Sequence, residues 1–198
     1  MSLGIQWSME FAAAIQSHEV AVALRNAAAS SNLAEWTRLL TAAVVRSCTA
    51  RKWQAAAKGY RSTVLPQAGQ EYLGIDVMAF AEGAESSGRH WPLPLAIFEL
   101  ENLKERAAYS LWKVLCVRAA LRVVFAYRND WEQVRALVRT LKDEVIAGLS
   151  PQERLGAGED LLLVTGSRGE GETFPYGYFK IWRLNPNTAN FEKFPGWG

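Results

Sequence analysis

The sequence predicts an α/β protein, a mixed sheet flanked by helices with an N-terminal helical segment and a C-terminal β-hairpin. Three observations predict it. Two short apolar segments, Tyr72–Phe80 and Leu95–Asn102, are rich in branched and aromatic residues and bounded by Gly or Pro, so both read as strands. The polar, Gly/Ser-containing stretch 83–91 between them makes the pair an antiparallel hairpin. Strand, helix and strand then alternate over 94–127, the signature of a right-handed parallel crossover.

Taken in order, Trp7, Phe11, Ala14, His18 and Val22 recur at helical spacing, giving a helix over 6–29. Ser30-Ser31-Asn32 interrupts it. Asn32 followed by Glu35 resembles a capping box, which starts a second helix over 33–57 that Lys58-Gly59 ends. Arg61 to Leu65 reads as a short strand stopped by Pro66. Two strands follow, over 71–82 and 94–102. The helix over 103–119 carries apolar residues, Trp112 among them, around much of its circumference and reads as largely buried. Leu121–Tyr127 is almost continuously apolar, as in a sheet covered on both faces. Asp130 caps a helix over 131–147, a loop spans 151–158, a strand spans 161–165, and the aromatic tail 174–194 reads as a hairpin turning at Asn185-Pro186-Asn187. Asn102 reads as the N-cap of the helix after it.

The chain has 198 residues, 49% of them hydrophobic and 21% charged, which suits one soluble domain over 1–198 with a full core. No apolar run reaches the ~20 residues a membrane helix needs. There is no basic-then-apolar leader, and the two cysteines, Cys48 and Cys116, fall in apolar helical patterns. A reducing, cytoplasmic setting with both thiols buried is the expectation. Two Cys and two His exclude a zinc site of usual spacing.

Chemistry concentrates in three carboxylates. Asp76 lies on the first hairpin strand; Glu99 and Glu101 lie on the second and share a face, because strand side chains alternate. A carboxylate in so apolar a strand is costly unless its charge is offset. Three such oxygen donors converging would suit a hard divalent cation, Mg²⁺ or Mn²⁺. The bland readings are a strand-end acid bonding loop amides for Asp76 and a wet edge strand for the glutamates. The apolar run Pro94–Phe98 argues against the latter.

The order helix, weak strand, strand with Ile75-Asp76, strand with Glu99-Leu100-Glu101, helix, strand resembles the core of the PD-(D/E)XK nuclease superfamily, the restriction-endonuclease-like fold. The resemblance covers 32–127, leaving 1–30 as an N-terminal helix and 128–198 as a C-terminal helix and β extension. It implies a nuclease acting on DNA or RNA, with Asp76, Glu99 and the Leu100 carbonyl holding Mg²⁺ or Mn²⁺, and a helix glutamate, Glu35 first and Glu19 second, assisting. Glu35 has an ordinary alternative as a first-turn carboxylate facing the helix dipole. Position 101, where the family's motif has Lys, holds Glu here, as in some restriction enzymes of the superfamily. Glu101 could accept a proton from the attacking water. Alternatively a lysine from the following helix, Lys104 or Lys113, takes that place. Arg106, Tyr109 and Lys113 form one helical stripe, and the helix runs back along the strand far enough to bring Lys113 level with Glu99. The same fold without catalysis, as a nucleic-acid-binding or assembly module, is the rival reading.

Trp36 through Gln70 contains no Asp or Glu but holds Arg38, Arg46, Arg51, Lys52, Lys58 and Arg61, with Trp53 and Tyr60 interleaved. A phosphate-tracking surface has this composition, and so does a solvated helix face. The aromatic tail reads first as packing onto the body, with base stacking or a homodimer contact as its other uses.

Overall fold

The computed structural model describes residues 1–30, 32–60, 62–66, 71–194 and 197. Among these, seven strands form one mixed sheet in chain order: β1 (Gln54–Ala57), β2 (Val77–Phe80), β3 (Ala96–Leu100), β4 (Leu121–Arg128), β5 (Asp160–Ser167), β6 (Phe179–Asn185) and β7 (Asn190–Lys193). β1, β2 and β3 pair antiparallel, β3, β4 and β5 pair parallel, and β6 and β7 return antiparallel. The helices are α1 (Leu3–Gln16), α2 (His18–Ala29), α3 (Leu33–Ala50), α4 (Ala107–Leu115), α5 (Trp131–Leu141) and the one-turn α6 (Pro151–Arg154).

Alternation along the strands divides the apolar residues between two cores. Phe98, Leu121, Val123, Phe125 and Tyr127 point towards α1, α2 and α3 and pack with Trp7, Phe11, Leu40 and Val44. Ile97, Val124 and Leu163 point the other way and pack with Leu111, Val114, Val134 and Leu141 of α4 and α5. Every residue of β3 is buried, and all of β4 but Arg128, as the continuous apolar runs require. The aromatic tail packs onto the body: Phe179 faces Phe11 and Phe125, and Phe174 and Tyr178 close around Trp36.

Caps set several boundaries. Asn32 and Asp130 accept hydrogen bonds from the amides of Glu35 and Gln133, as the sequence indicates. Ser17 splits the single expected N-terminal helix into α1 and α2, with its backbone extended. The structure stops α3 at Ala50, not Ala57, because Lys52 adopts a left-handed φ of 59° and the amides of Arg51, Lys52 and Trp53 turn back to close the last turn. The helix-favouring run Gln54-Ala55-Ala56-Ala57 is therefore β1, held by pairing to β2; tertiary pairing outweighs propensity there. That displaces the strand expected at Arg61–Leu65: residues 62–66 are bends, and Arg61 lies outside the described residues. The expected strand over 71–82 shortens to β2, since Tyr72–Ile75 forms a tight turn. α4 is shorter than expected, Trp112 is exposed (54%) rather than buried, and Cys116 is exposed as well; only Cys48 is a buried thiol. Asn102 does not cap α4, for its side chain donates to Thr37 instead.

Arginines tie the ends of elements together. Arg122 binds the carbonyls of Val114 and Val117 at the end of α4 and pairs with Glu159. Asp160, 1% exposed, accepts from the Gly4 amide at 2.8 Å and from Arg183 at 2.6 Å, joining α1, β5 and β6. Asp160→Ala leaves the Gly4 amide and Arg183 without their acceptor and should cost about 3 kcal/mol in denaturant unfolding. A loss below about 1 kcal/mol would show that this bridge does not anchor α1.

Candidate functional site

The site begins at a turn. Leu73 and Gly74 both have positive φ, 56° and 64°, and the Ile75 amide returns to the Tyr72 carbonyl at 2.9 Å. Two left-handed residues in a two-residue connection match a type I′ turn, which glycine enters freely and leucine only with strain. This turn delivers Asp76 to the start of β2. Val77 pairs with Phe98, so the same register carried one step further sets Asp76 opposite Glu99. Both side chains leave the sheet on the α4 face.

Glu99 is buried, and Lys113 of α4 meets its Oε2 at 2.7 Å. Lys113 Nζ also donates to the Gly74 carbonyl at 2.6 Å, so one lysine ties the crossover helix, β3 and the turn before β2 together. Glu99 Oε1 is buried and has no hydrogen-bond partner. Asp76 Oδ2 accepts from the Leu100 amide at 2.6 Å, so Leu100 meets Asp76 through its amide. Burial pushes the Glu99 carboxyl up to about 7; the Asp76 charge adds to this and Lys113 opposes it. Burial also raises Asp76, helped by the charges of Glu71 and Glu101 and opposed by the Leu100 amide and Lys113.

The third expected acid does not join them. Glu101 Oε1 accepts from the Leu103 amide at 2.8 Å, Oε2 accepts from Ser110 Oγ at 2.9 Å, and Arg106 lies 3.8 Å away. The chain leaves β3 at Leu100, strand alternation no longer governs residue 101, and its carboxylate fastens the start of α4. Among the described residues no three His, Cys, Asp or Glu side chains come together as a metal-holding group. Glu35 sits in the first turn of α3 with both oxygens on Arg38, and Glu19 in the first turn of α2.

A cleft of about 490 Å³ opens beside Asp76, lined by Thr37 and Arg38 of α3, Lys58 and Tyr60 after β1, and Glu71. Of the acid-free window, Arg38 and Lys58 reach this cleft. Arg46 is exposed on α3, Arg51 lies over the buried Trp53 ring and bonds Gln6, and Lys52 faces Glu82. Trp53 is core and offers no stacking face. Sequence reading named Arg38 and Lys58 for a phosphate-tracking surface but missed Glu71 and Thr37 as lining groups, because no local pattern marks residues that converge from a loop and a helix. It also missed the exposed pair Tyr109 and Trp112 on α4, whose rings lie 5.9 Å apart next to Arg106 and Lys113.

In comparisons with known proteins, no family model matches the chain, and no curated protein or solved structure matches it. No helix among the described residues is long and apolar enough to cross a membrane.

Glu99 makes a pH signature. With chelator present, the folded protein keeps its proton up to about pH 7, whereas the carboxyl ordinarily titrates near 4.5. The stability this contributes is complete below pH 4.5 and is lost as pH rises through 7. Relative to Glu99→Gln, the wild type should therefore lose roughly 3 kcal/mol across that interval, read from urea midpoints at each pH. A difference that stays flat with pH would contradict the burial of this carboxylate.

Proposed function

We propose that this chain is a Mg²⁺- or Mn²⁺-dependent nuclease that hydrolyses phosphodiester bonds of DNA or RNA on a restriction-endonuclease-like core. The observation that carries this reading is Lys113 on Glu99, with Asp76 opposite. Two strand carboxylates and one lysine are the residue set the motif uses; here α4 supplies the lysine that position 101 lacks. The order α3, β1, β2, β3, α4, β4, with two antiparallel pairings and then a parallel one, supports the same core.

The donors present fit a hard divalent cation. Glu99 Oε1 is buried and unsatisfied, and Asp76 beside it has one oxygen on an amide and one left over. Mg²⁺ typically takes one or two protein carboxylates and completes its shell with water and substrate phosphate, so a third carboxylate is not required. When bound, the cation would supply the positive charge that polarises the scissile phosphate. Lys113 spends two of its three N–H groups on Glu99 and Gly74 and keeps one for the attacking water or a phosphate oxygen. Glu101, fully engaged with α4, is the weaker candidate for the water. Lys58 supplies positive charge along the cleft wall, where a phosphate backbone would lie, while Arg38 beside it is paired with Glu35.

Purified protein with Mg²⁺ or Mn²⁺ should nick plasmid DNA or degrade RNA. Asp76→Ala and Lys113→Ala should each slow this by about 100-fold or more when assayed at temperatures where circular dichroism shows the variant folded. Glu101→Gln should matter far less to rate than to stability. Undiminished cleavage by the Asp76 variant would refute the assignment.

A non-catalytic nucleic-acid-binding module on the same fold is favoured by one observation, the Lys113 ammonium already neutralising Glu99. Thermal melts separate the two readings. An intact site should gain about 2.7 kcal/mol at Mn²⁺ a hundredfold above its Kd, lost in Asp76→Ala, whereas a dead site should show no metal-dependent shift.

A further inference from the structure

Asn102 Nδ2 donates to Thr37 Oγ1 at 2.6 Å, and this bond joins residues that line two different cavities. Thr37 lines the cleft beside Asp76; Asn102 lines a second, partly open cavity of about 130 Å³ on the α1–α3 side of the sheet. Trp36, Tyr127 and Tyr178 form aromatic walls, and Arg168 lies at the rim. The three rings are 4%, 4% and 2% exposed, and Trp36 meets Tyr127 edge-on at 5.6 Å and Tyr178 at 5.4 Å. They leave a slot in place of solid core.

Beyond the Asn102–Thr37 bond, one buried polar atom of this slot is unspent. Tyr127 Oη is buried and has no hydrogen-bond partner; the Trp36 indole lies near it but outside hydrogen-bond geometry. Folded proteins leave few such groups, and each asks for a reason. Arg168 is exposed and pairs with no carboxylate among the described residues, and no acid lines the cavity. The slot thus offers flat apolar walls, neutral donors and acceptors from Asn102 and Tyr127, and one cation at its mouth. At about 30 Å³ per molecule it would hold about four waters, well below the ~300 Å³ of a typical site for a whole small-molecule ligand.

We infer that this cavity takes a single nucleobase, unstacked from its neighbours, with the attached phosphate on Arg168. The inference rests on the nuclease reading, since the strand would pass from the slot across Thr37 to the Asp76 cleft. It makes the substrate single-stranded, frayed or flipped at the reacting position. A free nucleotide carries the same chemistry, so the test must tell the two sources apart.

Binding is measured by calorimetry or ligand-observed NMR on the full chain in chelator, which keeps the result independent of cleavage. Uridine and adenosine monophosphates should bind, and ribose 5-phosphate should bind at least about tenfold more weakly. Tyr127→Phe, which deletes one unsatisfied hydroxyl, should weaken the mononucleotides about tenfold without lowering the melting temperature. Arg168→Ala should weaken the mononucleotides and leave the uncharged nucleosides unchanged. A single-stranded oligonucleotide should compete, and the same strand with abasic positions should not. Equal binding of ribose 5-phosphate, or unchanged affinity in Tyr127→Phe, overturns the pocket. Mononucleotide binding that no oligonucleotide displaces overturns the strand subsite and leaves a free-nucleotide site. Absence of nuclease activity with these binding results intact would remove the catalytic reading alone.

Discussion

A carboxylate placed on a strand that is covered on both faces has to be neutralised or protonated, and much of the local architecture follows from how Glu99 meets that demand. β3 is buried along its length because parallel strands need helices on either side. Glu99 faces α4, and among the described residues Lys113 of α4 is the cation that pairs with it. Lys113 does so at the depth where the helix passes over the strand end, and its second bond to Gly74 draws in the turn before β2. Replacing the pair with apolar residues of similar size would often be neutral or stabilising in an ordinary core. The pair leaves one glutamate oxygen buried and unsatisfied, which a packed apolar replacement would not.

Much of the fold was legible because the sequence carries its signals locally. The apolar run 121–127, the capping residues Asn32 and Asp130 and the polar loop between β2 and β3 each report on structure within a few residues of themselves. What escaped was set from a distance. The run 54–57 has helical composition and becomes a strand only because β2 lies alongside, and Trp112 has the periodicity of a buried residue but faces outward. The site divided in the same way. Asp76 and Glu99 could be placed opposite each other from hairpin logic, and Lys113 from the rise of a helix running back over a strand. Glu101 could not, because its direction depends on how the chain leaves β3, and the amides and hydroxyl that capture it belong to the next element. Glu71, Thr37 and Arg38 share a cleft with Asp76 through tertiary folding alone.

The chemistry suggested by this geometry divides labour between the two faces of the sheet. The α4 face carries the acids and the lysine, buried enough to raise both carboxyls and so to favour a cation that would lower them again. The opposite face, below α2 and α3, carries the aromatic slot and its unpaired hydroxyl. β3 and the segment after it join the two, since Glu99 looks one way and Asn102 reaches the other. Fold alone licenses no particular reaction. The groups whose bonding is incomplete are Glu99 Oε1, the third proton of Lys113, Tyr127 Oη and Arg168, and the proposed chemistry uses each of them.

The Asp160 junction has a consequence for biosynthesis. Residue 4 is made 156 residues before its docking partner, residue 160, which is fixed in turn by residue 183. At ribosomal speeds of about 5–20 residues per second, the amphipathic N-terminal helices wait roughly ten to thirty seconds for the strands that will cover them. The aromatic mates of Trp7 and Phe11 arrive in stages, Phe98 first, then Phe125 and last Phe179. The junction that docks α1 therefore closes only once residue 183 has been made, so docking of this helix follows synthesis of β5 and β6 rather than preceding it.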